Sequence, residues 1–556
     1  MRIASRAWLT ALLATVALVG ACDDDDDGNG PDGPDAPTNV AAAATSPTSV
    51  DVTWDAVDGA DGYVVQRVTG ATGGTFATVG TPATNTFTDN TVAAATTYRY
   101  RVATVEAGAQ SSYSAEASVT TSGGEPEIID ADITADMTLT ADREWILSGF
   151  IHVANGAKLT IEPGTIIRGD ADILGSSLFI LRGAEIDAQG TETQPIVFTS
   201  EVAAGGRQAG DWGGLIIVGN GIINRGTNPI LEGTGTDPVE NPEITYGDGN
   251  DNADNSGILR YVRIEFAGFG PAPNQELNGL TLAADGSGTT IEFIQVLNGL
   301  DDSFEWFGGA VDAKHLVSYE SGDDHYDMAE GYVGRLQHLI AFQSKVVVPR
   351  PGAGNVSSDP QGFENDGCNA GDCAFDATPF TQPLVANFTV VGPADGVFAA
   401  NSGGYGMVLR RGTAGYYVNG LVARWEKAAY SLRDPETAAR VADGTFIMSN
   451  IVDAEVGVQF HAGQTGGTFD PGTFNLTASA LTAAATFTAL PADPAAPGDF
   501  NWGLAAGSEA NTGGLNPFTG DILTKAGAFV TATSYRGAVD PVGAQWYQGW
   551  TNYADN

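Results

Sequence analysis

The sequence predicts an all-β chain: a small antiparallel β-sandwich over residues 37–122, then a right-handed parallel β-helix over residues 131–556 with a C-terminal cap. Three observations predict it. Glycine supplies 73 of 556 residues, beside abundant Thr, Val and Ile, which favours strands and turns over helices. Short segments in the first part alternate apolar with polar residues between turn residues, the signature of half-buried strands. In the second part short apolar strands recur with a nearly constant period, which marks a solenoid.

The chain opens with MRIASRAWLTALLATVALVGAC. Arg2 and Arg6 form a basic head, and the apolar run Ala7–Val19 is too short to cross a bilayer, which takes about 20 residues. Residues 1–21 therefore read as a signal peptide. Its end, Leu18-Val19-Gly20-Ala21-Cys22, resembles a bacterial lipobox, and the resemblance implies that the Cys22 thiol takes a lipid. Residues 22–36 begin with aspartates Asp23 to Asp27 and continue in Gly, Asn and Pro. Like charges and helix breakers bury no core, so this stretch is a solvated tether. The expectation is an exported, lipid-anchored protein of the outer membrane or cell surface. With Cys22 so used, Cys368 and Cys373 remain across a short loop, and a local disulfide suits an oxidising compartment.

In the sandwich, Ser49–Trp54 and Gly62–Arg67 alternate cleanly, and Thr86 to Val102 supplies further strands. The pattern resembles a fibronectin type III domain. Pro37 opens it, Trp54 takes the place of the core tryptophan, and Tyr98 that of the tyrosine-corner residue, with Thr96 two positions earlier. Ala94 stands where that family usually has proline. Residues 123–130 form a linker.

Beyond it run Ala157–Ile167, Ser177–Gly190, Pro195–Ser200, Trp212–Gly219, Leu259–Phe266, Thr290–Leu297, Ala313–Tyr319 and Leu336–Phe342. Ile294 to Leu316 is 22 residues and Leu316 to Leu339 is 23. A β-propeller blade needs about twice this period. His315 and His338, one coil apart, are expected to stack on one wall.

The repeat carries acid. Asp301-Asp302-Ser-Phe304-Glu305 aligns with Asp323-Asp324-His325-Tyr326-Asp327, followed by Glu330. Residues one coil apart stack at about 4.8 Å, which places Asp301 beside Asp323, Asp302 beside Asp324, and Glu305 beside Asp327. Glu364 and Asp366, in Gln361–Gly367, are expected to close over the same face, braced by the Cys368–Cys373 loop. Stacked carboxylates repel unless they are neutralised. Three readings stand: a cation such as Ca2+, which takes about 6–8 oxygen ligands; solvated acidic turns; or carboxylates with raised pKa acting as acid catalysts. The metal reading leads. Asp248–Asp254 also looks like a calcium loop, but Ala253 occupies the turn-glycine position and Leu259 the closing-glutamate position, which favours a polar loop. Arg168-Gly169-Asp170 follows a strand at an ordinary turn.

Glu162-Pro-Gly-Thr165, Asp211-Trp-Gly-Gly-Leu215, Glu305-Trp-Phe-Gly-Gly309, Gly362-Phe-Glu-Asn-Asp366, Tyr535-Arg-Gly-Ala538 and Gly549-Trp-Thr551 together resemble bacterial β-helix surface lipoproteins related to a leptospiral outer-membrane lipoprotein. The resemblance covers residues 128–556 and implies the β-helix, but no activity. Where a third acidic pair is expected, this chain has Lys345-Val-Val-Val-Pro-Arg350, which ends the ladder or sets basic residues beside it.

A formal net charge of −43 excludes nucleic acid as a partner, since that affinity rests on basic contacts to phosphates. The leading expectation is a non-enzymatic surface lipoprotein, held to the membrane by its N-terminal lipid. Its calcium-stabilised β-helix would bind an extracellular polysaccharide or surface protein. The alternative is a polysaccharide-active enzyme. A calcium-assisted lyase needs a base, for which Lys314, Arg335, Lys345 and Arg350 are candidates. A glycoside hydrolase needs two carboxylates about 5–9.5 Å apart, for which Asp302, Asp324 and Glu364 are candidates.

Overall fold

The computed structural model describes residues 34–556 except 227, 273–274, 369–372, 394, 462–469, 491–500 and 555–556. The expected signal peptide, Cys22 and most of the tether lie outside the described residues. Two compact units form, one mainly from residues up to Thr120 and one from Thr121 onward.

The first unit is an antiparallel sandwich. One sheet joins Ala41–Ser46, Ser49–Thr53 and Thr86–Asp89; the other centres on Gly62–Thr69 paired with Thr97–Glu106. Alternation places Val50, Val52, Val65 and Tyr100 inside. Trp54 is buried edge-on against Tyr63 with ring centroids 5.1 Å apart, and Tyr98 is buried as its place in the motif requires.

The second unit is a parallel β-helix with two main walls. A sixteen-stranded sheet stacks, among others, Gly257–Glu265, Thr290–Leu297, Asp312–Tyr319, Arg335–Phe342 and Leu384–Val391. A nine-stranded sheet runs from Phe150–Val153 to Ala428–Leu432 and includes Leu280–Ala283, Phe304–Phe307, Tyr326–Ala329, Phe363–Asp366 and Tyr405–Arg410. Every pairing along both walls is parallel. Ile294 pairs with Leu316 and Leu316 with Leu339, the stack that the sequence period predicts. Inward residues of successive coils fill one continuous core, from Ile129 to Phe474.

Five long strands of the first wall each bend at one residue of positive φ: Tyr261 (49°), Phe293 (57°), His315 (60°), His338 (63°) and Asn387 (54°); Asn450 (58°) does the same in Phe446–Ala454. The ladder register skips these positions, so the bend turns the chain between two flat faces. Left-handed backbone costs an L-residue roughly 1–2 kcal/mol, and stacking offsets it. The rings of Tyr261 and Phe293 lie 4.4 Å apart, Phe293 and His315 4.3 Å, and His315 and His338 5.0 Å. Burial, and then the neighbouring His315, pushes His338 down to about 3, so its imidazole is neutral.

Short helices also occur, which the sequence period does not announce. Among the described residues Pro435–Ala442 is the longest; Asp434 caps it by accepting from the Thr437 N–H, and Pro435 starts it without wasting a donor. After the coils, residues to 554 return along the outside of the first wall. Tyr547, Trp550 and Tyr553 pack there with Tyr319 and Phe342. Among the described residues no helix is long and apolar enough to cross a membrane.

Candidate metal centre

The alternation of the nine-stranded sheet builds the centre. Phe304, Trp306, Tyr326, Met328 and Phe363 point into the core. The residues between them point out, and register stacks Thr281, Glu305, Asp327, Glu364 and Val408 as successive rungs. Glu364 is thus not an element closing over the face but the next rung after Asp327. The turns before these strands add Asp301, Asp302, Asp323 and Asp324. The Asp324 N–H donates to Asp302 Oδ1 at 2.8 Å, and the Asp323 N–H to the Asp301 carbonyl at 3.4 Å, so the two turns stack as the alignment predicts.

These groups line a cleft of about 560 Å³ together with Glu232, Glu276, Asp366, Arg410 and Arg411. Asn278 donates to Glu305, and the Gln361 N–H to Asp324 Oδ1. Three sets of carboxylate oxygens each lie within 4.8 Å of one another: Asp302 with Glu305 and Asp327, Asp302 with Asp323 and Asp324, and Asp324 with Asp327 and Glu364. Oxygens bound to one Ca2+ at about 2.3–2.6 Å reach such mutual distances. Asp323 Oδ1, Asp327 Oδ1 and Glu364 Oε1 are buried and accept no hydrogen bond. No aromatic ring lines the cleft among the described residues.

Crowding sets the electrostatics. Burial, then Glu276, lifts Asp301 to about 7; burial, then Asp366, lifts Glu364 to about 7 despite Arg410 and Arg411. Burial and their carboxylate neighbours push Asp302, Glu305, Asp323, Asp324, Asp327 and Glu232 well above the usual range. At one end Arg410 donates to Asp366 Oδ1 at 2.7 Å and to Glu364 Oε2 at 2.5 Å, and Arg411 donates to Asp366. Burial works against the charge on Arg410, but Asp366 and Glu364 hold it more firmly protonated than usual.

Several expected participants lie elsewhere. Glu330 sits at a left-handed corner, fully buried, where Arg225 donates to Oε1 at 2.8 Å and the Tyr246 hydroxyl to Oε2 at 2.6 Å. It is a structural ion pair, because its place in the strand repeat turns it away from the cleft. Lys345 lines a separate small pocket with Arg207, and Arg350 pairs with Asp211 at 3.3 Å. Lys314 lies over the Phe529 ring and Arg335 pairs with Asp312. None of the four reaches the acidic cleft as a base; Lys345–Arg350 belongs to an excursion from the coils, not to a rung. In Asp248–Asp254 the Asp251, Asn252 and Asp254 side chains accept from backbone N–H groups at 2.8–3.0 Å, as a polar loop does. Arg168 is clamped by Glu144, which removes it from any display of the Arg-Gly-Asp tripeptide. Cys368 and Cys373 form a disulfide with Cα atoms 6.0 Å apart, directly after Asp366.

Four cleft residues escape sequence reading. Glu232 and Glu276 come from excursions between coils, where no period applies. Arg410 and Arg411 carried a signal, since consecutive basic residues at the end of an apolar strand are rare in so acidic a chain. Asp366 pairs with Arg410 across adjacent strands.

A parallel β-helix with a carboxylate-lined cleft on one outer face defines the class of this molecule. The model of the pectate-lyase-like β-helix domain matches residues 131–504, most of the chain, and the protein belongs to that family. No curated protein matches. Among solved structures, the chain is similar to an Fn3-like protein from Clostridium thermocellum, 34% identical over 17% of this chain and 99% of that one, with a TM-score of 0.16. It is also similar to a human FNIII domain, 24% identical over 18% of this chain and 88% of that one, with a TM-score of 0.16.

Proposed function

We propose that this is an exported, lipid-anchored β-helix protein, akin to the leptospiral-type surface lipoproteins, whose acidic cleft binds calcium. Through that cleft it engages an extracellular ligand. One observation carries the reading: three buried carboxylate oxygens without hydrogen-bond donors, on Asp323, Asp327 and Glu364, within overlapping triads of oxygens. Buried charge needs a partner, and the two arginines reach only the Glu364–Asp366 end. Asp302, Glu305, Asp323, Asp324, Asp327 and Glu364 are the ligands assigned. Once a divalent ion neutralises them, the cleft turns from repulsive to cohesive. Residues 1–36 serve export, lipidation at Cys22 and spacing from the membrane.

Thermal unfolding with calcium, and with excess chelator at fixed ionic strength, tests this. A ligand at a hundredfold excess over Kd stabilises by about 2.7 kcal/mol. A calcium-specific rise in Tm that is lost in Asp302→Asn and Asp324→Asn is expected. An equal response to any divalent salt sinks the reading.

Family membership favours a second reading, a polysaccharide-active enzyme working at the same cleft. Arg410 is locked in ion pairs and held protonated, which makes it a poor base. Incubation with acidic polysaccharides, following unsaturated or reducing ends, discriminates. Product formation that is lost in Asp324→Asn establishes the enzyme; binding without product leaves the capture function.

A further inference from the structure

Directly behind the acidic turns, in the buried interior, lies a chain of four polar side chains. Ser303 and Ser318 are fully buried, His325 is 1% exposed and Ser321 2%. Ser318 Oγ donates to Ser303 Oγ at 2.7 Å, and Ser303 Oγ donates to Ser321 Oγ at 3.0 Å. Ser321 Oγ lies 2.8 Å from the Asp324 carbonyl and 2.9 Å from the Asp301 carbonyl. At the other end, His325 Nδ1 and Ser318 Oγ are 2.5 Å apart.

The direction of this chain follows from its end. Carbonyls only accept, so the single Ser321 proton points to them. Ser321 then accepts from Ser303, Ser303 from Ser318, and Ser318 from the N–H of a neutral His325 protonated on Nδ1. A second brace acts on the same turn: the Ser321 N–H donates to Gln343 Oε1 at 2.8 Å, and Gln343 Nε2 to the Ser321 carbonyl at 2.9 Å.

Hydroxyls and an imidazole in a core cost stability relative to apolar side chains, and the cost is not fully offset here, since His325 Nε2 is buried without a hydrogen-bond partner. Elsewhere the core is filled by aliphatic and aromatic side chains such as Leu178, Ile217, Phe304 and Trp306. What this chain supplies is geometric. It ends on the carbonyls of Asp301 and Asp324, which belong to successive coils and immediately flank Asp302 and Asp323. Fixing those two carbonyls to one hydroxyl fixes the offset between the acidic turns.

We infer that the His325–Ser318–Ser303–Ser321 chain is a positioning device for the metal centre, setting the spacing of the two acidic turns and so the preference for a calcium-sized over a magnesium-sized ion. This rests on the reading of the cleft as a cation site. Mg2+ demands oxygens at about 2.0–2.1 Å in octahedral order, against about 2.3–2.6 Å for Ca2+. A rigid offset between the turns resists contraction around the smaller ion.

The test is calorimetric titration of the full chain with Ca2+ and Mg2+. Ser321→Ala removes one oxygen and leaves the carboxylates untouched. Ser177→Ala is the control: its hydroxyl is equally buried and bonds only to the Gly175 carbonyl, on the same sheet away from the cleft. Groups that orient metal ligands from behind are worth about 10- to 100-fold in affinity. Ser321→Ala is expected to lose about tenfold in calcium affinity and to narrow the calcium-to-magnesium ratio, whereas Ser177→Ala keeps both wild-type values. His325→Asn, which retains an N–H near the Nδ1 position, restores what His325→Leu loses. If Ser321→Ala binds both ions like the wild type, the positioning role is overturned while the cation site stands. A wild-type chain that binds neither ion overturns both.

Discussion

Asp327 shows at the scale of one residue how the cleft trades stability for binding. It is the middle rung between Glu305 and Glu364, and it belongs to two of the three oxygen triads. Asp327→Asn keeps its shape and removes one buried charge. In chelator the variant is expected to be more stable than the wild type, because its amide carries no charge for burial to penalise or for Glu364 and Asp366 to repel. With calcium it should lose most of the ion-dependent rise in Tm. A variant less stable in both conditions would show that repulsion is not what the ladder stores. Proton linkage gives a second expectation. Asp301 and Glu364 are lifted to about 7 by burial, then by carboxylate neighbours, so between about pH 4 and 7 the folded chain holds more protons than the unfolded one. Their contribution to metal-free stability is complete below the unfolded pKa near 4 and disappears as pH rises through 7. Calcium competes with those protons, so its stabilisation should grow from pH 5 to pH 8; denaturant unfolding at each pH measures both trends. Arg410→Gln frees Glu364 and Asp366, and calcium affinity by calorimetry should rise several-fold.

At the scale of the element, the strands that bend at a left-handed residue build one wall and the strands that carry the acids build the other. Periodicity located both, because apolar residues at every second position must face one core. It did not locate the bends, since Phe293, His315 and His338 look like ordinary strand residues until φ is known. The stacked pair His315 and His338 was legible from the 23-residue spacing; the reason they stack, a shared corner, was not. A β-branched side chain fits that backbone worst. His315→Val should destabilise by about 2–3 kcal/mol, from left-handed strain and from lost stacking on Phe293 and His338. His315→Asn, a residue the corner already uses at Asn387, should cost about half as much. Equilibrium denaturation of the two variants decides, and equal losses would assign the whole effect to stacking.

At the scale of the molecule, the returning C-terminal segment closes what repetition leaves open. A wall of stacked strands presents an apolar outer face at Leu297, Val317, Tyr319 and Phe342, which Trp502, Tyr547, Trp550 and Tyr553 cover. Arg263 also donates to the Trp550 carbonyl at 3.0 Å, and Gln295 exchanges hydrogen bonds with the Asn552 backbone. Trp550→Ala should cost about 3–5 kcal/mol, as for a large buried aromatic. Loss of the near-ultraviolet circular dichroism of this cluster, ahead of the far-ultraviolet signal, would mark the segment lifting from an intact solenoid.

Composition, alternation and a constant period determined the two architectures, because burial along a strand repeats every second residue and stacking repeats every coil. The same period determined that Asp302, Asp324, Glu305 and Asp327 share one face. Tertiary structure alone decided that Glu364 is a rung and Glu330 is not, and that Glu232 and Glu276 arrive from excursions. It also brought Arg410, rather than Lys345 or Arg350, to the carboxylates. Those decisions depend on where insertions leave and rejoin the coils, and on which side of a bend a residue falls. Neither is written in local sequence, because each is fixed only when a distant strand supplies the neighbour.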